Sequence, residues 1–587
     1  MEGFFNRVLR VNLKARTFQA EPIGDAIYEK YLGGKGLATS LLMKENAPGV
    51  DPLSPGNKLI FALGPITDSR IYGSCRDGVF TKSPLTGIFS ESYSGGRVAE
   101  PMSRTGYDAF IFEEAATEPV WVEISDQAVL FHDAKDLWGK DTYVTEDEVN
   151  KRVNKRGSGS VVIGPAGENG VRYAVIENDY WRSFGRTGVG TVMGSKKVKA
   201  ISFHGEKKRT IAHPDRLEQF AKETLERGKD NAGAQAYRRM GTPMLVAMNN
   251  AVKGFPSKYW HLGTFEGWEK ISAEALLERC HVRPTACLRC FVACGNLSEV
   301  REGRHKGLKI EGPEYETIYA FGGLCMVHEI EEIAYLNDIC DRLGMDTISA
   351  GSLCAFAIEA SEKGRIEEKI EWGDVDKIAN LLNDIAYRKG LGAILAEGIR
   401  HAARGWNMED VAIHIKGLDP AGYDPRILKG MGLAYATSDR GACHLRATFY
   451  KAELAGMIPI DQMEGKAKLF LEFEDRFNIH DSLILCRFYR DLYWDWKYLS
   501  TIIEVTTGLQ LDEAALRKIS SNIQNETRRF NLREGISPKD DTLPKRFFDE
   551  PLGDEKAIRR EDLEKMLRDY YTLRGWTSEG IPTEGKS

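Results

Sequence analysis

Three cysteines, Cys287, Cys290 and Cys294, stand in one short run, R-P-T-A-C-L-R-C-F-V-A-C-G-N over residues 283–296. This spacing lets three thiolates grip a single inorganic centre, and a fourth ligand must then come from elsewhere. Zinc ribbons answer one C-x-x-C with a second cysteine or histidine pair at short range, and neither follows here. Radical enzymes that cleave S-adenosylmethionine also cluster three cysteines, but in the reverse order, C-x3-C-x2-C. Buried cysteines without a role have no reason to fall at ligand spacing. A [4Fe-4S] cluster is the leading reading, its fourth ligand to be sought among Cys75, Cys280, Cys325, Cys340, Cys354, Cys443 and Cys486.

Two hexads resemble each other: Asp341-Arg-Leu-Gly-Met-Asp346 and Asp481-Ser-Leu-Ile-Leu-Cys486. Each reads acid, three residues, an apolar residue, then Asp or Cys, which hints at two equivalent contacts to something of approximate two-fold symmetry. Asp341 falls near the end of a helix capped by Gly344, whereas Asp481 reads as an N-cap before Leu483-Ile-Leu. Glu311-Gly-Pro-Glu-Tyr-Glu316 supplies three carboxylates just after the cysteines, and Arg440-Gly-Ala-Cys-His444 sets an imidazole beside a glycine turn. A carboxylate and a histidine near one metal suit general acid–base work.

The elements that must position these groups change style along the chain. Short strands at 8–13, 58–62, 120–124, 160–163 and 200–203 are separated by glycine runs, chiefly Tyr31-Leu-Gly-Gly-Lys-Gly36, Ser94-Gly95-Gly96 and Gly185-Arg-Thr-Gly-Val-Gly190. None has the order of a dinucleotide fingerprint, and no Walker A sequence occurs. Glycine loops offer backbone N–H groups to an anion, and Arg76, Arg97, Arg182 and Arg186 lie close to them in sequence. At His213-Pro214-Asp215 the pattern turns helical, with amphipathic segments at 215–227, 330–343, 374–388, 391–403, 466–477 and 513–526. No repeat of solenoid period is visible. The tail from Glu579 reads as frayed.

The 587 residues allow two to four domains. A net charge of −6 argues against nucleic acid as the main partner. Ten cysteines are too sparse for a disulfide scaffold. With no signal-peptide pattern and no stretch of membrane-spanning length, a soluble cytoplasmic protein is expected.

Taken in order, these residues carry a resemblance. Tyr31-Leu-Gly-Gly-Lys-Gly-Leu-Ala38, Thr81-Lys-Ser-Pro-Leu-Thr-Gly87, Ile163-Gly-Pro-Ala-Gly-Glu-Asn169, Gly188-Val-Gly-Thr-Val-Met-Gly-Ser-Lys196, Glu311-Gly-Pro-Glu-Tyr-Glu316, Cys340-Asp-Arg-Leu-Gly-Met-Asp-Thr347 and Asp541-Thr-Leu-Pro-Lys-Arg546 frame the cysteine triplet. The chain resembles the tungsten-dependent aldehyde ferredoxin oxidoreductase family over nearly its whole length. The resemblance implies an α+β protein. An N-terminal β-rich saddle domain binding two pterins (1–210) would be covered by two mainly α-helical domains, 211–415 with the cluster cysteines and first pterin motif and 416–587 with the second motif.

It further implies a tungsten bis-pterin (tungstopterin), a [4Fe-4S] cluster and a Mg2+ ion bridging the pterin phosphates. Asp341 and Asp481 would each anchor a pterin through its N–H donors, with Asp346, Leu485 and Arg446 also at pterin-contact positions. Cys486 would be the fourth cluster ligand, Arg76 the residue between cluster and pterin, and Arg182 a phosphate contact. The carbonyls of Tyr93 and Ser183, in loops that include Ser94, Gly95 and Gly185, match those that hold magnesium. Glu316 and His444 correspond to the catalytic carboxylate and imidazole. The implied reaction is reversible oxidation of a small aldehyde to a carboxylate. Glu316 would activate water or take a proton, and His444 would hydrogen-bond the oxygen on which charge develops. Electrons would leave singly through the cluster to ferredoxin or a ferredoxin-like subunit.

Two departures matter. Ile484 stands where the family prefers Gly, so a different turn is expected. Tyr335 and Asp338 replace a Glu-x-x-His pair that binds iron between subunits in some homodimeric members, so an oligomer without that iron is expected. A runner-up reading is the benzoyl-CoA reductase type of tungsten subunit, which would use Cys325 on the metal and His261 as an acid.

Overall fold

The apolar runs of the first third are rich in Val, Ile and Phe and extend into strands. In the computed structural model, which describes residues 1–553 and 557–583, they form two six-stranded sheets. The first holds β1 (Arg7–Asn12), β2 (Thr17–Pro22), β3 (Leu59–Ala62), β4 (Asp77–Lys82), β5 (Phe89–Ser94) and β6 (Ala109–Glu113). The second holds β7 (Val120–Ile124), β8 (Val129–Asp133), β9 (Gly159–Val162), β10 (Ile176–Asn178), β11 (Arg182–Phe184) and β12 (Val198–Phe203).

The two sheets are wired alike. Their orders are β2-β1-β6-β3-β4-β5 and β8-β7-β12-β9-β10-β11, with a parallel pair at the same place, β1 on β6 and β7 on β12. Register makes the correspondence residue by residue. Ala62 faces Gly78, which faces Tyr93; Val162 faces Glu177, which faces Ser183. Tyr93 and Ser183 are thus equivalent positions of a duplicated unit.

The inner faces of the sheets interlock through phenylalanines, with Phe61 edge-on to Phe112 and Phe184 (both 5.8 Å) and Phe110 edge-on to Phe203 (5.4 Å). Each outer face carries a helix, Gly34–Glu45 on the first sheet and Thr142–Val153 on the second. Strands buried on both faces read as continuous apolar runs, as Leu59–Ala62 does.

From Pro214 onward the fold is mainly helical, apart from a small sheet β13-β14-β15 (Cys280–Thr285, Gly295–Val300, Lys309–Glu311). The helix Ile330–Leu343 begins and ends where its apolar period predicts, while the segment read as 391–403 is broken at Gly398 into Gly390–Leu395 and Ile399–Trp406. The tail is not frayed through residue 583. Arg528 Nε donates to the Gly580 carbonyl at 2.9 Å, and Trp576 bridges to Pro582; residues 584–587 lie outside the described residues. Among the described residues no helix is long and apolar enough to cross a membrane.

Asp481 is not an N-cap. The helix Lys466–Leu483 runs through it and stops at Ile484, whose φ of 60° and ψ of 44° match the 76° and 52° of Gly344 after Ile330–Leu343. In both turns the residue beyond the left-handed one closes the helix, Met345 N–H to Cys340 C=O at 2.9 Å and Leu485 N–H to His480 C=O at 2.8 Å. The different turn expected at Ile484 therefore does not occur. A β-branched residue there holds strain of about 1–3 kcal/mol that packing must offset.

That packing comes from the duplicated domain. Gly64-Pro65 follows β3 and Gly164-Pro165 follows β9. A Cβ on Gly64 would lie 2.0 Å from the Leu483 oxygen, and one on Gly164 2.4 Å from the Leu343 oxygen. Each half of the β domain thus receives one hexad's helix end.

Candidate active site

Between the sheets and the helix ends lies a cavity of about 340 Å³. Tyr93, Ser183 and Gly185 reach it from the β domain, Asp481 and Leu485 from the second hexad, and Arg440, His444 and Arg446 from the loop after Ser438. One part of the wall is aromatic. Tyr423 stacks on Tyr450 at 4.0 Å, and Tyr237 packs on Phe488 at 4.3 Å.

The other part is cationic, with Arg76, Arg186, Arg440, Arg446, Arg487 and Arg490. A buried network holds several of these charges in place. Lys35 of the glycine-lysine motif meets Glu91 at 3.0 Å and Asp439 at 2.9 Å. Arg446 bridges Glu91 (2.7 Å) to Asp481 (2.9 Å), and Arg487 meets Asp481 at 2.6 Å. Against a burial that raises it, Arg446 and Lys35 hold the Glu91 carboxyl well below the usual range. Among the described residues Arg446 Nε and Arg440 Nε have no hydrogen-bond partner, which leaves donors for an anionic ligand.

Glu316 enters from a helical turn that continues as the π-helical run Ile318–Leu324, a local widening common at functional sites. Its Oε2 accepts from the Gly422 N–H at 2.9 Å, and its Oε1 lies 3.5 Å from His444 Nε2. Burial pushes the Glu316 carboxyl up to about 8. Burial, with Arg186, Arg440 and Arg446 nearby, pushes the His444 imidazole well down. At neutral pH the contact is therefore between a protonated carboxyl and a neutral imidazole, and His444 Nδ1 has no hydrogen-bond partner among the described residues.

Behind Arg76 lie the cysteines. The loop joining β13 to β14 carries Cys287, Cys290 and Cys294, and it is pinned to the first sheet where Leu288 N–H meets the Gly96 carbonyl at 3.1 Å. Gly96 N–H reaches Cys287 Sγ at 3.2 Å, Tyr489 O–H reaches Cys290 Sγ at 3.4 Å, and Cys486 N–H is held by the Gly73 carbonyl at 2.9 Å. Cys75, donating to Cys287, holds that thiol well below its ordinary value, with Arg182 and Arg76 acting in the same sense. The half-buried Arg76 guanidinium has Cys486, Cys287 and Cys75 as its neighbours and donates to the Tyr93 carbonyl at 2.8 Å. Among the described residues no three His, Cys, Asp or Glu side chains close on a single-ion site. A cluster whose irons each take one thiolate needs no such convergence.

Comparison with known proteins decides the family. Models of the aldehyde ferredoxin oxidoreductase N-terminal domain and of its domains 2 and 3 match residues 8–205 and 219–587. The chain belongs to the aldehyde ferredoxin oxidoreductase family. It is 36% identical to the tungsten-containing aldehyde ferredoxin oxidoreductase of Pyrococcus furiosus, covering 100% of this chain and 98% of that one. The Thermococcus kodakarensis protein of the same name is equally similar, at 36% with the same coverage. An aliphatic sulfonate oxidoreductase, WOR-like subunit, of P. furiosus is 27% identical over 100% of this chain and 96% of its own. Among solved structures, the active-site complex BamBC of benzoyl coenzyme A reductase with 1,5-dienoyl-CoA shares the fold, with a TM-score of 0.84 at 23% identity over 99% of this chain and 96% of that chain.

As an oxidoreductase of the aldehyde ferredoxin oxidoreductase family, whose relatives contain tungsten, the chain places its sequence-derived residues in three groups. Arg76, Tyr93, Ser183, Gly185, Glu316, His444, Arg446, Asp481 and Leu485 line the cavity. Ser94, Gly95, Arg182 and the four cysteines lie on the cysteine side, with Ser94 Oγ accepting from Asn178 at 2.6 Å and Arg182 paired with Glu311. Asp341 and Asp346, expected at pterin contacts, are not among the residues that line the cavity. Asp341 accepts from Asn337 at 2.6 Å and burial pushes its carboxyl up; Asp346 caps the helix Thr347–Glu362 and meets Arg186 at 3.2 Å.

Sequence reasoning missed Glu91 and Arg487. Glu91 stands between two serines in β5 and is fully buried. Cys325 and His261 are not brought to the cavity. Cys325 donates to the Gly351 carbonyl at 3.2 Å in the apolar core, and His261 contacts Glu359 at 3.2 Å and Glu550 at 3.5 Å.

Proposed function

We propose that this chain oxidises aldehydes to carboxylic acids, reversibly, at a tungsten bis-pterin, and passes the electrons through a [4Fe-4S] cluster to ferredoxin or a ferredoxin-like subunit in the cytoplasm. The observation that carries this is the neutral Glu316–His444 pair, set in an arginine-rich cavity whose Arg76 also faces the cysteines. The donor set fits the groups it would hold. Cys287, Cys290, Cys294 and Cys486 would bind the cluster. Asp481 and Asp341 would take the N–H groups of the two pterins, with Asp346, Leu485 and Arg446 beside them, and Arg182 would meet phosphate. The carbonyls of Tyr93 and Ser183, equivalent in register, would face the Mg2+ ion. When bound, tungsten supplies a Lewis acid and a two-electron acceptor.

The chain's own residues would handle substrate and protons. The balanced change is aldehyde plus water to carboxylic acid, two protons and two electrons. Once ionised, Glu316 takes a proton from water. His444, with its Nε2 toward the Glu316 carboxyl, turns its unpartnered Nδ1 to the substrate oxygen. The stacked tyrosines exclude water from that side. Cys325 and His261, on which the benzoyl-CoA reductase alternative rests, do not line the cavity, which favours the aldehyde reading.

Anaerobically purified protein should contain tungsten and iron and should reduce a viologen dye with small aldehydes. Absence of dye reduction across an aldehyde panel, together with turnover of benzoyl-CoA, would overturn the reading.

A further inference from the structure

The loop with Cys287, Cys290 and Cys294 hangs from one end of the small sheet β13-β14-β15, and among the described residues nothing covers one face of that sheet. His281, Arg283 and Lys309 are exposed on it, Leu297 and Glu299 are half-buried, and Arg301 follows at its far end. Cross-strand register sets them in rows, His281 opposite Glu299 opposite Lys309, and Arg283 opposite Leu297. The opposite face, with Cys280, Ser298, Val300 and Ile310, is buried against the helices.

The charge of this region is out of keeping with the rest of the chain. Between Arg279 and Glu311 there are seven Lys and Arg against three Glu, in a protein of net charge −6. On the face itself, Arg283, Arg301 and Lys309 make no ion pair among the described residues, while Glu311 at its cysteine end is already neutralised by Arg182. A groove of about 330 Å³ runs among these side chains with Leu297 on its wall. One half-buried Leu297 flanked by cations that make no ion pair among the described residues, with Glu299 between His281 and Lys309, lies next to the loop through which electrons would have to leave and matches a small polar encounter interface.

We propose that this face docks the one-electron acceptor, and that the acceptor is an acidic iron–sulfur protein that sets its carboxylates against Arg283, Arg301 and Lys309. The inference rests on the aldehyde-oxidising reading, since that reaction releases two electrons and two oxidised acceptors must each remove one. Charge complementarity would act chiefly on the encounter rate and would weaken with salt.

The test uses the holoenzyme and two acceptors, a small viologen dye that needs no docking surface and a soluble acidic ferredoxin followed by its visible absorbance. The variant Arg283→Glu/Arg301→Glu/Lys309→Glu should keep dye-linked kcat/KM within about twofold. It should raise the KM for ferredoxin by about tenfold or more and flatten the salt dependence of that rate. An equal charge change on the helix Arg560–Arg574 (Arg560→Glu/Lys565→Glu/Arg568→Glu) should leave the ferredoxin KM near wild type. If the sheet variant keeps wild-type ferredoxin kinetics and salt dependence, the docking surface is elsewhere. Self-association that light scattering detects and the sheet variant abolishes would also overturn it, because the face would then bind a second copy. Lack of dye-linked aldehyde oxidation in the wild type would instead strike the proposed function itself.

Discussion

The contact between each Gly-Pro turn and its helix end makes a quantitative prediction. A Cβ built on Gly64 lies 2.0 Å from the Leu483 oxygen and 2.4 Å from its carbonyl carbon, where ordinary contact begins at 3.4 Å, a deficit of about 1.4 Å. Gly164 faces Leu343 in the same way with an oxygen at 2.4 Å, a deficit of about 1.0 Å. Both obstacles are backbone, so neither can swing aside as a flexible side chain would. Overpacking of this kind costs about 1–3 kcal/mol in stability, which a chain of this size survives. The larger effect is positional, because a shift of about 1 Å in a reacting constellation costs roughly 100-fold in rate.

The two substitutions should also differ in kind. Gly64→Ala pushes the turn that leads from Asp481 to Cys486 and should lower iron as well as tungsten content. Gly164→Ala pushes the turn that leads from Asp341 to Asp346 and should lower tungsten while sparing iron. Metal analysis per folded chain and dye-linked aldehyde oxidation read both effects. Gly405→Ala, in the helix Ile399–Trp406 with nothing within 4 Å, serves as a control and should stabilise slightly, by up to about 1 kcal/mol. Full iron and tungsten in Gly64→Ala, with wild-type turnover, would refute the claim that these glycines seat the cofactor-bearing helix ends.

Other consequences are simpler to read. The Glu316 carboxyl is protonated below about 8 and ionised above it; since a base must be ionised, dye-linked kcat/KM should rise with pH through that region, and Glu316→Gln should remove the limb and lower the rate by 100-fold or more. Cys486→Ala should lose the visible absorbance of the cluster, and an unchanged spectrum would move the fourth ligand elsewhere. Lys35→Met leaves Glu91 and Asp439 buried without their shared cation, and it should lower stability by roughly 3–5 kcal/mol, seen as an earlier urea midpoint; a midpoint within error of wild type would show that the network adds nothing.

Local pattern made much of this fold legible. Helix Ile330–Leu343 is bounded by an apolar period and a glycine cap, and both are written in adjacent residues. β1, β3, β7, β9 and β12 fall within a residue or two of the apolar runs that foretell them. The left-handed turn at Ile484 was illegible for a physical reason, since a β-branched residue disfavours it and only packing from the β domain imposes it. Glu91 escaped because burial of a charge is a property of the partners, and Lys35 and Arg446 lie far from it in sequence. Cys325, a ligand only in the runner-up reading, follows Glu316 closely in sequence, but the π-helical run between them carries it into the apolar core.

The duplication escaped for a related reason. What the two halves share is hydrogen-bond wiring, with Leu63-Gly64-Pro65 and Ile163-Gly164-Pro165 as its trace in sequence. A symmetric base explains why two hexads from distant segments end in the same backbone turn, since each must fit the same Gly-Pro seat. It does not require the hexads to end in the same residue, and they do not. One turn delivers Asp346, whose carboxylate caps a helix and meets Arg186, while the other delivers Cys486 beside Arg76 and Cys287. The frame is two-fold, but its thiol-lined side faces the loop that reaches the surface at Arg289 and the basic sheet. On the proposed function this symmetry would position a paired cofactor, and one break in it, Asp346 against Cys486, would give electrons a way out on the thiol side.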